Sequence, residues 1–414
     1  MATRVGQGRN SINLRRYNER LVLQVLRRVG PASKADLARR TNLANSAIGN
    51  IVQALENDGL VELKGRMLDG QRGQPATLLM LNPKGAFGVG VRLDRELIET
   101  VLTDFNGEIL TRRVHRQLLP LPQDALKLVC RDIKDVLKVI PPRQRERLAG
   151  IGLAQPYNLG AWLNELGYAG KDFLPWDDYD FAAELSRATG IPVFSENDAN
   201  AAVIAELFYG CGRRFDDFAY VFMGAVIGGG AVIAGECLLG ASGNACDIAV
   251  MPVPSSTLPS ARPNRAAWDI LLSRASLNAL ERHLRHSGLH IGSNVAELEP
   301  YVAQRHPAVM EWLDDCVDAL APALRSIVCL LDVPVLVIDS DVDAGLIDCL
   351  MERLRNLLQQ QAPEARSVPE FVRGTFGSDA GAVGAACLPM FFSYSPRAEI
   401  LRGSVESIEA DHAG

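Results

Sequence analysis

The chain has 414 residues, 48% of them hydrophobic, and carries 43 Lys and Arg against 49 Asp and Glu for a net charge of −6. Its length gives room for two or three domains with cores of their own, and its eight cysteines, scattered without a CxxC pair, exclude a disulfide framework and read as reduced thiols. No apolar run approaches the ~20 residues of a membrane span, and residues 1–10 lack the apolar core of a signal peptide, so a soluble cytoplasmic protein is expected.

The net charge hides an asymmetry. Residues 1–84 hold 14 of the 43 basic residues but only 6 of the 49 acidic ones, a basic head on an acidic body. That balance points to a polyanion contact confined to the head. After a flexible stretch at 1–12, residues 13–29 read as a helix, with Leu14, Leu21, Val22, Val25 and Leu26 on one face and five arginines elsewhere. Ser33 and Asp36 can cap a short helix with Leu37 and Ala38 on its apolar face. Thr41-Asn42-Leu43 interrupts it as a tight turn. A second helix starts near Ala44 and Asn45 and runs to Asp58, with Gly59 closing it. Its Ile48, Ile51, Val52 and Leu55 form a buried stripe. Asn45, Ser46, Asn50 and Gln53 fall mainly off that stripe and suit the major groove, where amides and hydroxyls meet base edges.

Residues 60–63 and 77–81 are β-prone and flank a basic, Gly-rich loop, which makes a hairpin wing. Three helices and a wing give a winged helix-turn-helix over 13–82. Lys34, Arg39 and Arg40 are placed to neutralise phosphates. Arg66 and Arg72 sit on the wing, and Arg72-Gly73-Gln74-Pro75 is thin enough for a minor groove.

The body, 85–392, alternates strands and helices and reads as α/β. Strands are expected at 88–93, 97–104, 108–115, 148–153, 191–194, 218–223, 231–234 and 335–338, and helices at 122–139, 181–189, 199–209 and up to about 360. The last third is otherwise mostly helical, and the tail from 393 to 414 reads as disordered. His283, His286 and His290 read as a solvated helix surface. Asp339, Asp341 and Asp343 lack the glycine and glutamate of a calcium loop and read as the start of a helix, where carboxylates favour the dipole.

The run FSENDANAAVIAE at 194–206, the glycines at 228–230 and a winged helix ending in Gly-Gln-Pro resemble the ROK family, over about 13–388. That family groups sugar-responsive repressors with sugar kinases on a two-lobed actin-like, hexokinase-like fold. Members with an N-terminal winged helix resemble regulators. The resemblance therefore implies a repressor that binds double-stranded operator DNA as a homodimer or dimer of dimers, with a sugar or sugar derivative shifting the spacing of paired heads. The alternatives are a sugar kinase with an accessory DNA-binding domain and a regulator whose body is only a dimerisation scaffold.

The family's kinase motifs are altered here. Its Asp-x-Gly-Gly-Thr phosphate loop corresponds to Gly90-Val91-Arg92-Leu93-Asp94, and its second phosphate loop reads Gly224-Ala225-Val226-Ile227 followed by Gly228, Gly229 and Gly230. Asp339, Asp341 and Asp343 replace glycines near the adenosine. These departures imply no catalysis and no nucleotide cofactor. Asn197 and Asp198 remain from the sugar site, where the Asp is the kinases' base, although Asp198 would also cap the following helix. Asp247 and Asp269 stand in place of two sugar-contacting glutamates. The family's structural zinc has lost its ligands, with Val250 for the His, Ala267 for a Cys and no cysteine in 255–265, so no metal is expected.

Overall fold

The computed structural model describes residues 7–67, 76–262, 267–291, 295–361 and 367–402. Helix α1 (Gln7–Val29) starts six residues before the expected start at residue 13. Residues 7–12, expected to be flexible, continue it. Helix α2 (Lys34–Thr41) opens on a reciprocal capping box. The Asp36 amide donates to Ser33 Oγ at 3.2 Å, and the Ser33 amide donates to Asp36 Oδ2 at 3.3 Å. Asn42, at φ +56°, supplies the left-handed residue that turns the chain toward α3 (Asn45–Asn57). That helix ends in a Schellman closure, Gly59 N–H to Glu56 O at 3.0 Å and Leu60 N–H to Leu55 O at 2.9 Å. Strands β1 (Val61–Met67) and β2 (Ala76–Leu81) pair antiparallel, and Ala32 bridges to Leu79 on the far side of β2. Val22, Leu26, Leu37, Ile48, Val52 and Leu79 fill the small core between helices and hairpin.

The body divides into two compact units, and the head clusters with the first. That unit holds β3 (Phe87–Asp94), β4 (Leu97–Asp104), β5 (Ile109–Arg116), α4 (Pro122–Val136) and β6 (Leu148–Gln155). The chain then lends α5 (Leu163–Leu166) to the second unit and returns with α6 (Gly170–Asp177), α7 (Phe181–Thr189), β7 (Val193–Asn197) and α8 (Asp198–Phe208). The sheet order is β5-β4-β3-β6-β7. Strand β3 runs antiparallel to β4 and parallel to β6, which runs parallel to β7.

The second unit holds β8 (Phe218–Met223), β9 (Ile227–Ile233), β10 (Glu236–Cys237), β11 (Pro252–Pro254), β12 (Trp268–Ile270), α9 (Leu271–Ala275), α10 (Leu277–His286), α11 (Glu299–Ala303), α12 (Pro307–Leu331), β13 (Val335–Ser340), α13 (Ala344–Gln360) and β14 (Glu370–Arg373). Its main sheet runs β10-β9-β8-β13-β14, with β13 parallel to both neighbours. Leu313, Leu320 and Leu324 of α12 are fully buried within its core.

The three glycines at 228–230, read as lying between strands, sit inside β9, whose expected extent was 231–234. Gly229 is needed there for packing: a Cβ on it would lie 2.9 Å from the Ile248 side chain.

Helix α14 (Ala380–Tyr394) belongs to the first unit from Ala382 onward. It lies flush on the sheet because Gly90 and Gly152 have no side chains. A Cβ there would come within 2.4 Å of the Ala386 amide and 1.7 Å of the Ala385 carbonyl. Helix α15 (Ala398–Arg402) corrects the expected disorder from 393: Ile400 is buried, and Arg397 pairs with Glu399 at 2.9 Å. Residues 403–414 lie outside the described residues. None of the eight cysteines is joined in a disulfide.

Candidate functional site

Helix α3 buries Ile48, Ile51, Val52 and Leu55, and this turns Asn45, Ser46, Asn50 and Gln53 outward, all exposed. Lys34, Arg39 and Arg40 are exposed on α2. Arg39 reaches back to Asp36 at 2.5 Å, so part of its charge is shared within the helix. The Asp36 carboxyl is held below its usual range by the Ser33 hydrogen bonds, with Arg39 and Arg40 adding to the effect. Arg66 lies on β1, while Arg72 and the Gly-Gln-Pro segment lie outside the described residues.

A second polar constellation gathers where β3, β6 and β7 of the first unit end. Arg92 pairs in register with Ala154, and Ala154 with Glu196, so the three share one face of the sheet around a small central residue. Asn197 ends β7 and caps α8, accepting from the Asn200 amide at 2.7 Å. This corrects the assignment of the cap to Asp198. The residue with extended backbone, φ −66° and ψ 157°, is Asn197, and only that geometry aims an oxygen back at the first turn. Asp198 is left with a single described bond, from the adjacent Ala199 amide to Oδ1 at 2.9 Å.

The Asp198 carboxyl lies above its usual range, first because burial penalises its charge and then because Asp94 faces it. Arg92 and Arg95 offset part of this. Glu196 is pushed up to about 7 by burial, against a hydrogen bond from Asn200. The arginines and Glu196 were not marked by sequence reading as site residues. The register that puts Arg92 and Glu196 on one face needs the strand pairing. Chemically, Asp198 is a strong acceptor for a hydroxyl, framed by an amide and by guanidinium charge.

The second unit uses its candidate residues differently. Asp247 is exposed and accepts from Asn244 Nδ2 at 3.3 Å. Asp269, on β12, accepts the Ser256 amide at 3.0 Å, and Ser256 Oγ donates to Asp315 at 2.7 Å. Asp269 therefore pins the loop that follows β11. Asn197 and Asp198 adjoin in the first unit; Asp247 and Asp269 stand on separate elements of the second.

The positions of the family's zinc do not fit that ion. Val250 and Ala267 offer no donor, and among the described residues no group of three His, Cys, Asp or Glu is placed to ligate a metal. The loop is tied instead by Ser260 Oγ, 2.8 Å from His283 Nδ1, whose Nε2 lies 3.1 Å from Glu311. His283 is buried, which corrects its reading as part of a solvated surface; His286 and His290 are exposed. Helical spacing placed His283 on a face but could not show that this loop covers it.

Of the three late aspartates, Asp339 is buried and accepts from Tyr220 Oη at 3.1 Å and the Gly377 amide at 3.1 Å. Asp343 caps α13 through the Gly345 amide at 2.8 Å. The Asp341 carboxylate packs against Gly224, so that a Cβ on Gly224 would be 3.2 Å from it.

The ROK family matches residues 88–390, and the family described as winged helix-turn-helix DNA-binding matches residues 15–62. The xylose repressor of Bacillus subtilis is 26% identical over 273 residues, 64% of this chain and 67% of that protein. A glucokinase of Thermotoga maritima is 28% identical, covering 72% of this chain and 96% of its own length. The crystal structure of a ROK family transcriptional regulator, a homolog of the E. coli MLC protein, superposes with a TM-score of 0.68 at 21% identity, covering 95% of this chain and all of that one. At that identity the likeness shows the fold.

Proposed function

This chain belongs to the ROK family, and we propose that it is a DNA-binding transcriptional regulator, acting as a repressor, whose body senses a sugar or sugar derivative. The observation that carries the reading is the outward face of α3: four short polar side chains opposite a fully buried stripe, beside exposed basic residues on α2. Lys34, Arg39, Arg40, Arg66 and Arg72 serve the phosphates and the wing, and Asn45, Ser46 and Asn50 the base edges. The similarity to a repressor named for xylose supports a sugar-class effector. Asn197 and Asp198 are its contacts in the first unit, and Asp247 and Asp269 are candidates in the second. A single head reaches few bases, so a homodimer, or a dimer of dimers, acting on paired half-sites is part of the proposal, as is a cytoplasmic location. Among the described residues no helix is long and apolar enough to cross a membrane.

The test is a gel shift of the full chain on the DNA upstream of its own gene at graded salt. The proposal predicts a sequence-selective complex that weakens steeply as salt rises. A band that is absent or indifferent to sequence rejects it.

The similarity to a glucokinase favours sugar phosphorylation as a second reading. Against it stand Arg92 and Leu93 in place of the phosphate-loop glycines, Val226 before β9, and the Asp94 and Asp341 carboxylates, which would repel an anionic phosphate. ATP-dependent turnover is expected to stay at background with sugar present and to be the same in Asp198→Asn.

A further inference from the structure

We infer that α8 is a coupling rod: it joins the residues proposed to hold the effector to the DNA-binding head, and Arg27 is the residue that receives its far end. The inference takes only the effector end from the reading above.

Helix α8 starts at the Asn197 cap with Asp198 as its first residue and ends at Phe208, eleven residues and about 16 Å along. Every residue from Asn200 to Phe208 is buried, so the helix is gripped along its length. At its far end Arg27 of α1, only 5% exposed, lays its guanidinium over three rings. Cζ is 3.9 Å from the centroid of Phe208, 5.3 Å from Tyr209 and 4.7 Å from Phe105. Arg27 Nη1 also donates to the Phe105 carbonyl at 2.9 Å. A cation desolvated among aromatic faces is held more firmly than an exposed one, and its planar group fixes the orientation of the helix that carries it. Three residues on, Gly30 begins the turn into the loop before α2.

A second hold on α1 comes from the helix that packs on α8. Arg20, two turns before Arg27 on the same face, donates to the Phe392 carbonyl at 3.1 Å and the Ser395 carbonyl at 3.5 Å, at the end of α14. Gly384 of α14 lies against the Ala201 backbone so closely that a Cβ would sit 2.8 Å away, and Phe391 meets Phe208 edge to face at 6.0 Å. The helix supporting the head is therefore pinned by two arginines, one to α8 and one to the helix clamped on α8. A close-packed interior moves such elements as bodies instead of deforming them. A displacement at Asn197 and Asp198 arrives at Phe208, and from there at α1. Arg27 is a positioning residue that touches neither DNA nor effector.

Spatial succession alone does not establish coupling, so the test is a double-mutant cycle read by hydrogen exchange on the full chain, with no ligand. Asn197→Ala removes the cap and should speed exchange in α8 about fivefold, the size of a lost N-cap. The inference predicts that peptides spanning residues 20–29 also exchange at least about twofold faster in that variant. In an Arg27→Met background, which keeps an apolar stem without the cation, the α1 response to Asn197→Ala should vanish while the α8 response remains. If Arg27→Met does not fold, Phe208→Leu severs the same contact from the other side. An α1 response equal in both backgrounds, or absent in both, overturns the inference. A failed gel shift would strike the proposed function and leave this result standing, because the cycle uses neither DNA nor sugar.

Discussion

Both units of the body carry carboxylates near their sheets, and the two units spend them differently. In the second unit four carboxylates are engaged by the fold, Asp339 by Tyr220 and two amides, Asp343 by the start of α13, Asp269 by the loop after β11, and Asp315 by Arg274 and Ser256, while Asp247 stays exposed. In the first unit Asn197 takes over the capping of α8 and leaves Asp198 with one adjacent backbone bond, while the neighbouring Glu196 is half-buried with an elevated pKa. Asp339 and Asp315, the most deeply built in, each have several short partners. Groups whose pKa is perturbed by burial cluster at functional sites.

The comparison can be broken by substitution. The largest effect is expected at Arg274, 2% exposed, whose Nη2 bonds Asp315 Oδ1 at 2.7 Å and the Asp315 carbonyl at 2.9 Å. Removing one partner leaves a buried charge uncompensated, so Arg274→Ala should cost about 3–5 kcal/mol by denaturant unfolding. A loss under 1 kcal/mol would put this network on the same footing as the first unit's charges.

Glu196 gives the next effect, through pH. Its folded pKa is raised from 4.5 to about 7, so the folded chain binds more protons there than the unfolded one across that window. Its contribution to stability is therefore present below pH 4.5, falls as pH rises toward 7, and is flat above that, a decline on the order of 1–3 kcal/mol. Glu196→Gln should remove this decline from thermal unfolding curves recorded at pH 4.5 and 8. An unchanged pH profile would mean that Glu196 is solvated like an ordinary carboxylate.

Ser33→Ala sharpens the contrast within the first unit, since Ser33 is structural: losing the capping box should cost about 1 kcal/mol. The smallest effect is expected at Asp198. With burial and Asp94 both opposing its charge, Asp198→Asn should leave stability unchanged or raise it by up to about 1 kcal/mol, as removing an unfavourable charge does. A clear destabilisation would show that Asp198 is structural after all.

Local signals carried the sequence reading far. The Ser33–Asp36 cap, the stripe on α3, the closure at Gly59 and the helix over 181–189 all depend on residues a few places apart, and each is present in the structure. Signals set by distant neighbours were not legible. Gly228, Gly229 and Gly230 look like a loop until Ile248 is seen against Gly229. His283 looks solvated until the Ser260 loop covers it. Helix α6 keeps Pro175 inside it, which masks it as a breaker, with Phe173 and Trp176 buried to hold it. The partners of Arg27 lie at 105, 208 and 209, and no periodicity within α1 announces them.

The most direct measurement is fluorescence anisotropy of the full chain on the DNA upstream of its gene, titrated across a panel of neutral and acidic sugars, for the natural sequence and for Asp198→Ala. The account predicts sequence-selective binding whose affinity one sugar changes by about 5–150-fold, the usual range of coupling between sites, and which that sugar no longer affects in Asp198→Ala. Binding that no sugar alters, or a sugar response that persists in Asp198→Ala, would contradict it.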